Sequence, residues 1–256
     1  MSKLTEIVAK IRRNWTKIRL QHIRVFCFHH VSEAYDSSYM WEEDWSNTDV
    51  LKNFINGLQQ NGYTFISLPV AHAKLTNDIY RNHKYAVLTA DDGFKTLLNI
   101  VPWLIEQNIP ITLFVNPKYI LEDGIGENVQ ERLDETKCAK TNEEIYLKKS
   151  DLDAINSPLV TIAYHGYEHL DEWKMDEHAF VQNVEQCERA LQELPLEVIP
   201  YYAHTYGHAK AVYNSILASK RLTPVHVSDG ANYNDSPRID RELISNERLL
   251  NGKVHV

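Results

Sequence analysis

Short apolar, strand-like runs alternate with helical patterns along most of the chain, and this alternation restricts the folds that the chain can adopt. Helical spacing is clearest in NTDVLKNFINGLQQNG (47–62) and MDEHAFVQNVEQCERALQEL (175–194). Strands that alternate with helices predict a mainly parallel sheet with helices packed on its faces. The strand-like runs are RVFCFHHV, YTFISL, YAVLTADDG, ITLFVNP, LVTIAYHG, VIPYYAHTYG and PVHVSDG.

Length and composition narrow the classes of function. Of the 256 residues, 43% are apolar, which is enough for one sizeable core, and the formal charge is −8. This acidic balance argues against nucleic acid as a partner. No glycine-rich nucleotide loop of the GxGxxG or GxxxxGKS type follows a strand-like run. We expect one domain over residues 21–256, with a polar and acidic insertion near residues 121–150.

The first 20 residues differ from the rest of the chain. They carry six basic residues and one glutamate, and they lack the continuous apolar segment of a secretory signal. Their apolar residues fall on one stripe at helical spacing, made of Leu4, Ile7, Val8, Ile11, Trp15 and Ile18. We expect a basic amphipathic helix over residues 1–20. It either packs on the domain or on a second subunit, or it lies on an anionic membrane surface.

Cysteine usage bears on the cellular compartment. The three cysteines, Cys27, Cys138 and Cys187, form no CxxC motif and are odd in number. This pattern predicts no disulfides and favours a reducing compartment. We therefore expect a cytoplasmic protein, in contact with the inner membrane face if residues 1–20 bind lipid.

Acidic and imidazole side chains collect where strand-like runs end. Asp91 and Asp92 are adjacent in LTADDG, and His165 and His169 have the H-x-x-x-H spacing in HGYEH. Two histidines and a carboxylate from separate strand ends can form a three-ligand metal site with positions left for water and substrate. The second aspartate could then take a proton from water at the metal. Alternatively, the aspartates cap a helix and the histidines are ordinary surface residues.

Three of these segments resemble motifs of a known family. TADDG resembles the T-F/Y-D-D-G motif of the NodB-homology polysaccharide deacetylases, carbohydrate esterase family 4, and HGYEH resembles their H-S/T-x-x-H motif. YYAHTYG resembles the third motif more weakly. FHHV followed by LKNFINGLQQNGYTFISL resembles the poly-N-acetylglucosamine deacetylase branch in particular. The resemblance covers roughly residues 24–240.

The resemblance implies a fold, a cofactor and residue roles. The implied fold is an α/β, distorted (β/α) barrel, and the implied cofactor is one divalent metal ion, with zinc expected and nickel, cobalt or iron suited to the same ligands. The metal ligands would be Asp92, His165 and His169. Asp91 would be the general base, the backbone N–H of Tyr206 would help hold the oxyanion, and His29 in FHHV would be the general acid.

The sequence also departs from the family pattern. Ala203 stands where many members carry an arginine that orients the base, and the late L-x-H motif that supplies the acid in many relatives is not recognisable. Arg238, which follows the last strand-like run, is the candidate to replace that arginine, unless it is only a surface residue. His204 and His226 are rivals of His29 for the role of acid.

The resemblance implies a metal-dependent hydrolase that removes an N-acetyl group from an amino sugar. Because no export signal is recognised, we expect it to act in an intracellular step of surface-polysaccharide or lipopolysaccharide biosynthesis. One alternative is a deformylase acting on a lipid-linked sugar, which a membrane-binding helix at residues 1–20 would suit. Another is a non-catalytic relative that binds glycans and keeps a structural metal. The retention of Asp91 argues against the last alternative, because a binding module has no need of a general base.

Overall fold

The computed structural model describes residues 23–77, 83–207, 210–228, 232 and 238–254. The predicted helix over residues 1–20 lies outside these ranges. The strands are β1 Ile23–Phe28, β2 His30–Ser32, β3 Trp45–Asn47, β4 Tyr63–Phe65, β5 Lys84–Ala90, β6 Ile111–Val115, β7 Val160–Tyr164, β8 Glu197–Ala203, β9 Thr223–Val227 and β10 Ile239–Leu243.

Helices follow or separate most of these strands. The α-helices are α1 Thr48–Gln60, α2 Leu68–Thr76, α3 Val101–Glu106, α4 Pro117–Leu121, α5 Glu127–Thr136, α6 Asn142–Ile145, α7 Lys149–Ala154, α8 Glu177–Leu191, α9 Ala211–Ser219 and α10 Asn246–Leu250. Short 3-10 helices cover Glu42–Asp44, Lys95–Asn99 and Glu172–Lys174, and Thr205–Gly207 forms a turn. In the part of the chain that the structure describes, no helix has the length and apolar character needed to cross a membrane.

Parallel strands close into a barrel. β1 pairs with β5 on one side and with β10 on the other, and the remaining order is β10-β9-β8-β7-β6-β5. The described strands thus form a seven-stranded parallel ring, with β4 added on β5 outside it. The predicted (β/α) barrel is confirmed. In such a barrel the carboxyl ends of the strands meet at one face, where the loops that follow them build the site.

The two long helices form where their patterns predict them. The Asn47 side chain caps α1 by accepting the backbone N–H groups of Asp49 and Val50, and the Asp176 side chain caps α8 by accepting that of Ala179. Such caps satisfy backbone donors that the first turn of a helix leaves without partners. Each helix then buries one apolar stripe, which in α1 comprises Leu51, Phe54, Ile55 and Leu58.

Side-chain alternation along the strands separates two apolar clusters. Val25 and Val87 belong to one cluster, and their neighbours Phe26 and Leu88 belong to the other, which also receives the outer helices. This two-residue period is the one expected for barrel strands that are covered on both faces.

The polar segment near residues 121–150 is mostly helical. Residues 127–136 form α5, whose Val129 and Leu133 are buried. They share an apolar cluster with Tyr39, Met40, Phe94, Tyr119, Ile145 and Tyr146. Phe94 follows the barrel strand β5, and Tyr39 follows β2, which pairs with β3 outside the barrel. The segment therefore packs beside the carboxyl end of β5.

Candidate active site

A cavity of about 340 Å³ opens at the carboxyl ends of the barrel strands. Its walls include residues from the ends of β1, β5, β7 and β8 and from the loops that follow them: His29, Asp91, Asp92, His165, His169, His204 and Tyr206. The barrel thus brings together residues that are up to 177 positions apart in the sequence. Arg238 is absent from the described walls of this cavity.

Asp92, His165 and His169 form a compact set of donor atoms. Oδ1 of Asp92 lies 3.0 Å from Nε2 of His165 and 3.4 Å from Nε2 of His169. One ligand atom from each residue lies within 4.8 Å of the other two. An oxygen and two imidazole nitrogens are suitable ligands for zinc and for neighbouring divalent metals.

His165 is oriented by a contact behind the cavity. Its Nδ1 lies 2.9 Å from the backbone oxygen of Ala203 and donates to it, which leaves Nε2 to face Asp92. A histidine that ligates a metal is commonly oriented by this kind of second hydrogen bond. The set Asp92, His165 and His169 therefore fits a divalent metal ion both in its chemistry and in its orientation.

Local backbone geometry places these ligands. Asp92 has a φ of 69° and Gly93 a φ of 71°, so the chain turns sharply as β5 ends. Aspartate is among the few non-glycine residues that tolerate this left-handed region. In HGYEH, Gly166 has a φ of 76°, and a Cβ there would lie 2.8 Å from Nδ2 of Asn183. A larger residue at this position would displace the turn between His165 and His169.

The electrostatics of the three residues favour a cation. Burial by itself would raise the pKa of Asp92, but the imidazoles of His169 and His165 outweigh it and hold that pKa well below its usual range. Burial lowers the pKa of His169. For His165 burial acts in the same direction, but the hydrogen bond to Asp92 and the nearby carboxylates raise its pKa overall. Asp92 is thus ionised and its oxygen faces two ring nitrogens.

Asp91 is held by an arginine that the sequence analysis did not identify. Nη1 and Nη2 of Arg241 donate to Oδ1 and Oδ2 of Asp91 over 2.6 and 2.7 Å. Nη1 also lies 3.1 Å from Oγ1 of Thr89. Burial alone would raise the pKa of Asp91, but the Arg241 charge and its hydrogen bonds hold that pKa below the ordinary value. Asp91 is therefore an ionised carboxylate beside the candidate metal ligands.

Arg238 lies elsewhere, so the expectation that it replaces the missing arginine is corrected. Its Nε is 3.0 Å from Oδ1 of Asp240, and its side chain is 44% exposed. Arg241, three residues further along, belongs to β10 and is buried against Asp91. The available sequence signal was the strand pattern of IDREL, in which Ile239 and Arg241 fall on the same face.

His29 borders the cavity at the end of β1. Its Nδ1 lies 3.6 Å from Oδ1 of Asp44, which is longer than a hydrogen bond. Asp44 also lines the cavity, and burial raises its pKa. His30, in contrast, is fully buried and stacks on Phe94 with ring centroids 3.7 Å apart. His29 is therefore the histidine of the pair that reaches the cavity.

The rival histidines are placed differently. Nδ1 of His204 is 2.6 Å from Oε2 of Glu172, and its Nε2 is 3.1 Å from Oδ1 of Asn214. Both ring nitrogens of His204 are thus engaged within the protein. His226 lies outside the described walls of the cavity, and burial lowers its pKa to about 3. These positions favour His29 as the proton donor.

Tyr206 lies at the turn after β8. Its φ is 56°, in the left-handed region, and its side chain is partly exposed at the cavity rim. Its ring centroid is 4.5 Å from that of His169. The Tyr206 side chain therefore packs beside the candidate metal ligand His169.

Comparisons with known proteins agree with this geometry. The family described as polysaccharide deacetylase matches residues 78–225, and no match was found among curated protein sequences. The fold is similar to that of IcaB from Ammonifex degensii, with a TM-score of 0.70 at 20% identity over 90% of this chain and 94% of that one. It is also similar to the Streptococcus pyogenes deacetylase PplD in complex with acetate, with a TM-score of 0.69 at 17% identity over 90% and 96% of the two chains.

A de-N-acetylase from Aggregatibacter actinomycetemcomitans has a TM-score of 0.68 at 17% identity, over 91% of this chain and 99% of that one. These low identities show a shared fold. The family match spans more than half of the chain and contains both the Asp91–Asp92 pair and the His165–His169 pair. The chain therefore belongs to the polysaccharide deacetylase family.

Proposed function

We propose that this protein is a metal-dependent hydrolase that removes an N-acetyl group from an amino sugar. The observation that carries the proposal is the buried Asp91–Arg241 pair beside Asp92, His165 and His169. A glycan-binding module that keeps a structural metal would need the three ligands but not a second carboxylate held ionised next to them. Family membership supports the same reaction class.

Asp92, His165 and His169 would hold the metal, which when bound lowers the pKa of a water molecule and polarises the amide carbonyl of the substrate. Asp91 would take the proton from the attacking water. Although Arg241 engages both of its oxygens, each carboxylate oxygen keeps a further lone pair for that proton. Arg241 keeps Asp91 ionised before the reaction and orients it.

Two other groups would complete the reaction. The backbone N–H of Tyr206 would donate to the oxygen that becomes negative as the carbonyl is attacked, an interaction that strengthens in the transition state. An amine leaves poorly unless it is protonated, and His29 would supply that proton from another wall of the cavity. The contact of His29 with Asp44 would keep its ring directed along that wall.

The cavity suits one sugar unit with its acyl group. A volume of about 340 Å³ is at the small end of ligand sites. PplD is a deacetylase in complex with acetate, and the Aggregatibacter protein is a de-N-acetylase. Both similarities support acetyl as the group removed. We place the reaction in the cytoplasm, in surface-polysaccharide or lipopolysaccharide biosynthesis. The unpaired state of Cys27, Cys138 and Cys187 supports that compartment.

Product analysis on metal-loaded protein tests the proposal. The protein is loaded in turn with zinc, nickel, cobalt or iron and incubated with N-acetylglucosamine oligomers, N-acetylated sugar nucleotides and lipid-linked amino sugars. Release of acetate together with one free amine is the expected result, and Asp91→Asn with the same metal content is the matched control. Release of formate instead would favour the deformylase alternative. Glycan binding without release of either acid, unchanged in Asp91→Asn, would identify a non-catalytic relative.

A further inference from the structure

Glu172 is a fully buried carboxylate that lies three residues after the candidate ligand His169. Its Oε1 accepts the hydroxyl of Tyr202 over 2.8 Å and faces the backbone N–H of Thr205 at 3.4 Å. Its Oε2 accepts Nδ1–H of His204 over 2.6 Å. A carboxylate without exposure to water is costly unless several donors satisfy it, and Glu172 has three.

These donors belong to the segment that leads to Tyr206. Tyr202 is at the end of β8, and His204 and Thr205 follow it directly. A further hydrogen bond, from Oγ1 of Thr205 to the backbone oxygen of Leu170 over 2.5 Å, joins the same two segments. Glu172 therefore connects the loop that carries His169 with the turn that carries Tyr206.

The turn needs such support because its backbone is unusual. Tyr206 has a φ of 56° and the next residue, Gly207, a φ of 66°. Residues other than glycine, asparagine and aspartate rarely adopt this region, and they remain there only where surrounding contacts fix them. Immediately before Tyr206, His204 and Thr205 both contact Glu172, Thr205 also contacts the backbone of Leu170, and the far side of the His204 ring contacts Asn214.

We propose that Glu172 is a positioning residue which, through His204 and Thr205, fixes the peptide N–H of Tyr206 for the oxyanion. This inference rests on the proposed deacetylase function. Glu172 itself is outside the described cavity walls, whereas His204 and Tyr206 border the cavity. Its effect should therefore appear in the transition state and not in substrate binding.

The test is Glu172→Gln in the zinc-loaded protein. The amide keeps the shape of the side chain but has a single acceptor oxygen, so it cannot accept both Nδ1–H of His204 and the backbone N–H of Thr205. On an N-acetylated oligosaccharide we expect kcat to fall by about 10- to 100-fold, below the loss for complete removal of an oxyanion donor. KM and zinc content should stay within about threefold of wild type, since uniform binding is unaffected. Affinity for a tetrahedral phosphonate analogue should fall with kcat.

Two further variants make the test specific. Tyr213→Phe removes a buried hydroxyl that lies 2.7 Å from the backbone oxygen of Met175 and 3.3 Å from that of Glu172. It leaves the hydrogen bonds of the Glu172 carboxylate in place. It should lower the thermal midpoint without lowering kcat. His204→Gln removes the ring that joins Glu172 to the turn and should reproduce the loss of kcat. It replaces Glu172→Gln if that variant does not fold.

Hydrogen exchange separates this inference from the proposed function. Backbone amides of residues 205–207 should exchange faster in Glu172→Gln, whereas those of α8 should not change. Unchanged exchange in the turn would overturn the inference, as would a kcat within twofold of wild type. A loss of kcat that follows loss of zinc would also overturn it, because Glu172 would then act on the metal ligands. A wild-type protein that hydrolyses no acylated sugar would instead refute the proposed function, and the exchange result would still decide whether Glu172 holds the turn.

Discussion

Replacing Arg241 with methionine should show how much the Asp91–Arg241 pair contributes to the free energy of unfolding. The Arg241 side chain is 1% exposed and that of Asp91 is 3% exposed, with the two hydrogen bonds at 2.6 and 2.7 Å. Methionine has a similar length but no charge and no donor. Removing one partner of a buried ion pair costs about 3–5 kcal/mol, because the other charge remains buried without compensation. That is a large part of the roughly 5–15 kcal/mol by which a domain is stable.

The loss of unfolding free energy in Arg241→Met should depend on pH, and the direction of that dependence shows whether Asp91 is the carboxylate left without a partner. In the wild-type protein the folded pKa of Asp91 is lowered. Its contribution to stability is therefore complete above the unfolded pKa of about 3.9 and is lost as the pH falls through the lower folded pKa. In Arg241→Met the largest contribution that opposes burial is lost and only those of His165 and His29 remain, so burial raises the folded pKa of Asp91 relative to that in the wild-type protein. The variant then folds best with Asp91 protonated, and it loses stability as the pH rises towards that raised pKa.

The difference in unfolding free energy between wild type and variant should thus grow from about pH 4 upward. The limiting slope is about 1.4 kcal/mol per pH unit for one proton, so a total of 3–5 kcal/mol needs roughly two to four pH units. Urea unfolding of the metal-free proteins between about pH 4 and pH 8 measures this difference. The acid limb of the rate profile of the zinc-loaded variant should also move to higher pH, because its general base is protonated there.

Arg24→Met is the matched control. Arg24 also makes a two-bonded pair, with Glu242 on β10 at 2.8 and 2.7 Å, but the two side chains are 11% and 25% exposed. A partly solvated pair contributes about 1 kcal/mol or less. The cost of Arg24→Met should therefore be small and nearly constant between about pH 6 and pH 8. A loss of the same size at every pH for Arg241→Met would refute the reasoning, since no buried carboxylate would then have been left unpaired.

Further predictions concern the remaining parts of the site. His165→Ala should lose the bound metal while its far-ultraviolet circular dichroism stays native, and full metal occupancy would contradict its role as a ligand. Asp91→Asn should keep the metal and lose at least about a hundredfold in rate, the usual scale for removal of a general base; near-normal turnover would favour a capping role. His29→Ala should abolish the high-pH limb of the rate profile with metal content unchanged, and a limb that persists would assign the acid elsewhere. Deletion of residues 1–20 should abolish sedimentation with anionic liposomes at low salt if that segment binds membranes, and wild-type protein that does not sediment would exclude this reading.

The barrel could be predicted because its signal is local. Each strand-like run and each helical stripe is visible within about ten residues, and alternation of the two determines a parallel sheet. β10 is the exception, since IDREL contains three charged residues among its five. Its Arg241 is tolerated inside the barrel only because Asp91, 150 positions earlier, neutralises it. A strand whose buried face carries a charge cannot be recognised from apolar periodicity alone.

The burial of Glu172 also could not be predicted, because it too depends on residues that are distant in the sequence. In the sequence it belongs to the polar run YEHLDEWK, where a glutamate is expected at the surface. Its burial depends on donors from β8 and the turn after it, which lie about 30 residues away. The acidic segment near residues 121–150 could be predicted only in part. The spacing of Val129 and Leu133 marks one face of a helix, but the sequence does not show that Tyr39 and Phe94 cover it.

The adjacent aspartates can be tolerated because the chain changes direction between them. Asp91 follows directly after β5 and meets Arg241 from β10, whereas Asp92, with its φ of 69°, faces the imidazoles of His165 and His169. The two carboxylates therefore have different counter-charges, and both have lowered pKa values. If a continuous strand carried both residues, their side chains would point to opposite faces of the sheet. The left-handed turn at Asp92 instead brings both to one cavity, where one can hold a cation while the other accepts a proton.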